Sequence, residues 1–308
     1  MIERLDIDAP HIAVHPNHRR QTRRQVQVRR LVLDRKGQQL GDVHGFWMGV
    51  GQKVWRWMGA QGLASPLRDT QRIMAIIADR LAQVHNRVAQ ACMQAGRPVQ
   101  NVTLLTVTKT FGADLVREAF EAGERRFGEN YVQEGIDKIA ALADLRDRIE
   151  WHLIGPLQSN KTRVVAEQFD WVHSVDRLKI AQRLSEQRPA HLAPLQVCLQ
   201  VNIDGAPSKS GLTPDEVLTV AQAVHLLPGV ALRGLMAIPE PAVDLMAQRA
   251  PHRALHELLL SLQSAGLLVD TLSMGMSGDL EAAIAEGATV VRIGSAIFGG
   301  REPAPALP

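Results

Sequence analysis

The run Val102-Thr103-Leu104-Leu105-Thr106-Val107-Thr108-Lys109 decides how the chain is read: it is short, rich in β-branched and apolar residues, and closed by a lysine. Such a run is a candidate buried strand, of the kind used in parallel sheets covered by helices. On its N-terminal side Ile77, Leu81, Val84, Val88 and Cys92 recur at helical spacing and predict a covering helix from Met74 to about Gly96. On its C-terminal side a helical segment at 113–121 leads to a second strand at Arg125–Gly128. The alternation continues through strands near Trp151–Ile154, Trp171–Val175, Gln196–Asn202, Ala231–Ile238, Val269–Met274 and Thr289–Ile293. Helical stretches near 131–145, 160–168, 176–187, 214–226, 243–265 and 279–286 lie between them.

Eight strands interleaved with helices predict an α/β chain folded as a single (β/α)8 TIM barrel with an additional N-terminal helix. A doubly wound sheet is the competing architecture. It is weakened because no Gly-x-Gly-x-x-Gly follows an early strand and no Walker A run occurs. After Ile293 only 15 residues remain, ending in the Pro-rich stretch 303–308, so no second domain is expected behind the barrel.

Composition divides the chain at about residue 70. Of the 308 residues, 1–73 carry 13 Lys or Arg against 6 Asp or Glu, whereas 74–308 carry 22 against 26. The expected organisation is a basic, weakly ordered extension over 1–73, a barrel over 74–300 and a Pro-rich tail over 301–308. A biological start at Met74 is one reading of the extension. His11, His15, His18, Arg19, Arg20, Arg23, Arg24, Arg29 and Arg30 could attract an anionic surface by charge alone. No nucleic-acid module accompanies them, so specific nucleic-acid binding is not expected. There is no secretory signal pattern and no run of eighteen apolar residues, and Cys92 and Cys198 are too few for a disulfide scaffold. The expectation is a cytoplasmic protein with no membrane span. The histidines show no ligand spacing, so no metal is expected.

A barrel gathers its functional groups at the C-terminal ends of its strands. Lys109 stands there after the first strand, Gly128-Glu129-Asn130-Tyr131 after the second, and the run His152 to Lys161 after the third. At the far end come Met274-Gly275-Met276-Ser277-Gly278-Asp279 and Arg292-Ile293-Gly294-Ser295. Ser277, Gly294 and Ser295 offer hydroxyls and closely spaced amides, a plausible phosphate cradle, although two Gly/Ser loops can also be plain turns.

These five motifs, in this order, resemble the pyridoxal phosphate homeostasis protein family, also called the YggS/PROSC family, over about residues 72–300. The resemblance implies the barrel of the alanine racemase N-terminal domain and a pyridoxal 5'-phosphate (PLP) site serving vitamin B6 homeostasis. By that resemblance Lys109 is the Schiff-base lysine to which PLP is covalently attached, and Asn130 lies beside the ring. Ser277, Gly294 and Ser295 hold the phosphate, and Arg292 faces the pyridine nitrogen. His152, Gln158 and Asn160 fit family loop positions without an assigned role, and for His152 a structural hydrogen bond is an equal reading.

A guanidinium opposite the ring nitrogen opposes its protonation and weakens the ring as an electron sink. No residue is therefore assigned as catalytic, and efficient turnover is not expected. Tyr131, the only tyrosine, is expected to begin or pack on the following helix rather than to serve as a base. The resemblance further implies a monomer and transient transfer of PLP to dependent apoenzymes. The alternative is a weakly active PLP-dependent amino-acid racemase.

Overall fold

The computed structural model describes residues 31–33, 39–42, 66–206 and 209–299, with only the backbone described over 31–33, 39–42 and 66–75. The basic stretch 11–30 and the Pro-rich tail therefore lie outside the described residues. The chain divides into two units, Met1–Leu63 and Ala64–Pro308. In the first, strands β1 (Leu31–Leu33) and β2 (Gln39–Asp42) pair antiparallel.

The second unit is a closed parallel barrel. Its strands are β3 (Thr103–Val107), β4 (Arg126–Glu129), β5 (Glu150–Leu153), β6 (Trp171–Val175), β7 (Leu195–Gln200), β8 (Val230–Met236), β9 (Thr271–Ser273) and β10 (Val290–Ile293). They pair in chain order, and β10 closes on β3. Covering helices follow as α2 (Ala113–Glu121), α3 (Val132–Ala141), α4 (Thr162–Gln168), α5 (Leu178–Gln187), α6 (Val217–His225), α7 (Leu245–Ser264) and α8 (Leu280–Ala285), with a short α9 (Ser295–Phe298) at the end. The (β/α)8 expectation is met, and every expected strand overlaps an observed one.

The N-terminal helix α1 (Pro66–Gln94) begins ahead of Met74, so the 73/74 junction read from composition falls inside a helix. The apolar face predicted for it, Ile77, Leu81, Val84, Val88 and Cys92, is buried in the main core.

Strand parity decides what each side chain meets. Leu104, Val291 and Ile293 face the helices in the outer core, whereas Leu105, Val107, Ile154 and Val290 form a small separate cluster inside the barrel. A side chain at Gly128 would touch Leu105 and Ile154 at 3.3 Å, which places that residue in the interior as well. Polar groups share this interior: His152, His173, Ser273 and Arg292 are all buried.

Candidate functional site

The two strands flanking β3 bring the mouth together. Val107 pairs with Gly128 on one side, and Thr106 pairs with Ile293 on the other. Two residues beyond the first pair lie Lys109 and Asn130; just beyond the second lies Gly294, packed so closely that a side chain there would meet the Val107 carbonyl at 2.8 Å. Lys109 continues the inward parity of Leu105 and Val107. It is half-buried, and its amine makes no hydrogen bond or ion pair among the described residues.

The turn bearing Lys109 is held by groups that sequence reasoning passed over. Thr110 adopts a left-handed φ of 69°, uncommon for a β-branched residue. Its amide donates to Glu134 Oε1 at 2.5 Å. Beneath it the Lys138 amine donates to the Thr108 carbonyl at 2.6 Å, and to Glu129 and Glu134 at 2.7 Å each. Lys138 and Glu129 are both buried, and Glu129 Oε2 has no hydrogen-bond partner among the described residues. Burial pushes the Glu129 carboxyl up, against the opposing pull of Lys138 and Thr108. A lysine four residues after a glutamate reads as an ordinary surface pair on a helix, so nothing in the sequence flagged it.

The Gly/Ser loops converge across the mouth. Ser277 Oγ and Ser295 Oγ stand 3.4 Å apart, with Gly294 capping α9. From the outer side Arg87 of α1 donates to the Ser277 carbonyl at 2.8 Å while pairing with Glu281. Asp279 accepts from the Met276 amide at 2.6 Å and from buried His252 of α7 at 3.0 Å. Burial works to raise the Asp279 carboxyl, but the His252 and Met276 hydrogen bonds outweigh it and hold the group below the usual carboxylate range. Asp279, three residues after Met276, carries a local turn signal. Arg87 and His252 carry none, because they arrive from distant helices.

Arg292 is buried at 4% exposure on the inner face of β10. Its Nη1 donates to the Ser273 carbonyl at 2.5 Å and to Ser273 Oγ at 2.9 Å, and its Nη2 donates to the Ala237 carbonyl at 2.9 Å. No carboxylate pairs with it among the described residues. Burial pushes its guanidinium down to about 10, which still leaves it charged at neutral pH. Its Nε and one remaining Nη2 hydrogen have no protein partner among the described residues. Asp279 attracts it without bonding to it, and a buried cation with spare donors calls for an acceptor from outside the chain.

His152 and Tyr131 take structural places. His152, for which a structural hydrogen bond is one of the two expected readings, lies within β5, buried in the barrel, with its ring nitrogens 2.9 Å from Glu150 and from His173. Tyr131 is the N-cap residue of α3 and is exposed, away from any proton-transfer partner among the described residues. Ser159-Asn160-Lys161 form a single turn of 3-10 helix, and Gln158 stands at its N-cap.

The site fits PLP on its own chemistry: an amine and a guanidinium with unfilled donor capacity share one mouth with paired hydroxyls and a glycine too crowded for any side chain. At the opposite end, a basin of about 660 Å³ is lined by Arg126, Arg146, Asp147, Arg148, Glu150 and Asp170. Two of its cations are paired, Arg126 with Glu150 and Arg146 with Asp170, and Arg148 stacks over the Phe120 ring.

The chain matches the alanine racemase N-terminal domain family over residues 80–302. It is 60% identical over 229 residues to the pyridoxal phosphate homeostasis protein of Pseudomonas aeruginosa, an alignment spanning 74% of this chain and 97% of that one. It is 52% identical over 227 residues to the protein of the same name in Escherichia coli K12, covering 73% and 97%. Among solved structures, PipY of Synechococcus elongatus with PLP bound superposes with a TM-score of 0.63 at 38% identity, covering 72% of this chain and all of that one. The alanine racemase of Corynebacterium glutamicum, at 18% identity and a TM-score of 0.55 over 76% of this chain and 63% of that one, shares the fold.

Proposed function

The chain belongs to the alanine racemase N-terminal domain family and, within it, to the pyridoxal phosphate homeostasis proteins, and from that premise we propose that it binds PLP at the barrel mouth, keeps it covalently on Lys109 and passes it to dependent apoenzymes in the cytoplasm. The observation that carries this reading is Arg292: a buried guanidinium anchored by two main-chain carbonyls, with no carboxylate partner among the described residues and with donors to spare. When bound, PLP supplies an electrophilic aldehyde carbon and a pyridine ring.

Each residue then has a defined task. Lys109, at the lip of the mouth, presents its amine to the aldehyde carbon. Asn130, which follows β4 directly, would lie beside the ring. The hydroxyls of Ser277 and Ser295 and the amides of Gly294 and Ser295 receive the phosphate, while Arg87 and Asp279 hold the Ser277 loop from behind. Arg292 would donate to the ring nitrogen and disfavour its protonation, because two positive charges at hydrogen-bond distance repel. An unprotonated ring stabilises a carbanion poorly, so the arrangement favours retention of the cofactor over amino-acid turnover. With Tyr131 exposed at the N-cap of α3, no second base faces the mouth from that residue. The protein acts as a monomer in this reading.

Borohydride reduction of the PLP-loaded protein followed by peptide mapping tests the assignment. A reduced pyridoxyl adduct is expected on Lys109 and absent in Lys109→Ala; an adduct on another lysine refutes it. α-Proton exchange of alanine that persists at high rate and disappears in Lys109→Ala would establish the racemase instead.

A further inference from the structure

Five polar groups form an unbroken chain across the barrel interior. Arg292 Nη1 lies 2.9 Å from Ser273 Oγ, which lies 2.7 Å from His173 Nδ1. His173 Nε2 lies 2.9 Å from His152 Nδ1, and His152 Nε2 lies 2.9 Å from Glu150 Oε1. The three middle groups are sealed from solvent, Ser273 and His173 at 0% exposure and His152 at 2%. The far end is wet: Glu150 sits at the start of β5, its side chain 40% exposed and paired with Arg126 at 3.1 Å. The rings are fixed by packing, His152 stacked on Trp171 at 13° between planes and edge-on to His173.

The direction of this chain follows from its ends. A guanidinium can only donate, and a carboxylate can only accept. Between them stand one hydroxyl and two imidazoles. Burial disfavours the charged form of both histidines and puts the pKa of His173 well below its ordinary value, although Glu150 pulls His152 the other way; in the neutral form each ring carries a single N–H. Only one arrangement then satisfies all four contacts. Arg292 donates to Ser273, whose hydroxyl donates to His173 Nδ1; His173 Nε2–H donates to His152 Nδ1, and His152 Nε2–H donates to Glu150. Every acceptor lone pair in the barrel therefore points toward Arg292, and every donor points toward Glu150.

We propose that this oriented chain ties Arg292 to the carboxylate of Glu150 across the barrel, in addition to the attraction of Asp279, and that Ser273, His173 and His152 are positioning residues that hold the guanidinium correctly turned toward the cofactor ring without touching it. The inference rests on the PLP reading of the mouth and says how its cation is kept. A carboxylate placed directly against Arg292 would take up the donors that the ring nitrogen needs. The relay supplies aligned dipoles instead, in a dry interior where they polarise one another. Ser273 contributes twice, by its hydroxyl and by its carbonyl.

Two measurements test this. The first uses cofactor-free wild-type protein labelled with 15N-histidine. Long-range 1H–15N correlations are expected to show His152 and His173 neutral and protonated on Nε2 throughout pH 6–8. A Nδ1–H tautomer or an imidazolium at His173 overturns the proposal, whether or not PLP binds. The second compares His173→Phe, which ends the relay, with His173→Asn, whose amide oxygen can still accept from Ser273. In PLP-loaded protein, His173→Phe is expected to raise the PLP dissociation constant about tenfold, the effect of one lost charge-assisted hydrogen bond, and to shift the 15N resonance of labelled pyridine nitrogen. His173→Asn is expected to restore part of both. Equal binding and an unchanged pyridine resonance in a folded His173→Phe protein overturn the relay while leaving the PLP reading intact. Failure of the wild type to bind PLP removes that reading and leaves the tautomer result to judge the relay alone.

Discussion

Replacing Lys138 by methionine removes the centre of the polar cluster under the Lys109 turn. The substitution keeps the length of the aliphatic stem, so the change is mainly the loss of the charged amine. Three hydrogen bonds disappear, to the Thr108 carbonyl, Glu129 and Glu134. Glu134 is partly exposed and can rehydrate, but the Glu129 side chain is fully buried and keeps only the Thr108 hydroxyl at 2.5 Å. Breaking a buried pair from one side destabilises by about 3–5 kcal/mol, because the remaining charge is left uncompensated. That is a large part of the roughly 5–15 kcal/mol that holds a domain together.

The sign of the pH dependence distinguishes this from a packing defect. Burial already raises the Glu129 carboxyl above its ordinary 4.5, and loss of Lys138 raises it further. The folded variant then binds a proton that the unfolded chain has released, so its stability is greatest below about pH 4.5. Stability falls by about 1.4 kcal/mol per pH unit from there up to the folded pKa. Urea denaturation of wild type and Lys138→Met between pH 4.5 and 8 should show a gap that widens as pH rises. Adding Glu129→Gln should recover much of the loss at pH 7. A loss under about 1 kcal/mol at pH 7, or a gap that does not change with pH, would refute the account of a buried and dependent carboxylate.

Other perturbations probe the same mouth. A side chain at Gly155 would meet the Asn130 carbonyl at 2.0 Å, so Gly155→Ala should destabilise by about 2 kcal/mol or more and weaken PLP retention by moving Asn130, as read by thermal melting and equilibrium dialysis. Thr110→Gly relieves a β-branched residue at φ 69° and should stabilise the apo-protein by up to about 1 kcal/mol; a lower melting temperature would show that the side chain is needed for more than the turn. Ser277→Ala and Ser295→Ala should each raise the PLP dissociation constant about three- to tenfold, and unchanged binding in the double variant would place the phosphate elsewhere. Asp279→Asn should destabilise by about 1.5–3 kcal/mol at pH 7. Because the Asp279 carboxyl is depressed below its ordinary 3.8, its contribution is present above that value and is lost as pH falls through the folded pKa, so acid titration of stability should bring variant and wild type together.

The order of strands and helices was legible because each barrel strand is covered on its outer face and packed inside, so it reads as a compact apolar run. Boundaries shifted by one to a few residues at most strand ends. Val269 and Asp270 precede β9 rather than forming it, and α1 extends back to Pro66 through residues with no apolar period. The lip residues were legible for a different reason: Lys109, Asn130 and Gly294 each follow a strand directly, and parallel registry then places strand ends side by side.

What was not legible is the support beneath them, and the reason is physical. A buried polar group is tolerable when another buried group satisfies it, and that partner is fixed by barrel closure rather than by sequence distance. His173 and Ser273 are 100 positions apart and 2.7 Å apart in space. Yet a trace existed. His152, His173, Ser273 and Arg292 are each a polar residue within a barrel strand, and Arg292 interrupts an otherwise apolar one, with neighbours on either side facing the helices. One such residue invites the reading of a loop residue, as with His152. Polar residues on strands β5, β6, β9 and β10 make that reading untenable, because four unpaired polar groups inside one barrel would each be left unsatisfied at about 1–3 kcal/mol. Their mutual satisfaction follows from closure of the barrel, and it is this interior order that leaves Arg292 anchored from below with donors still available above.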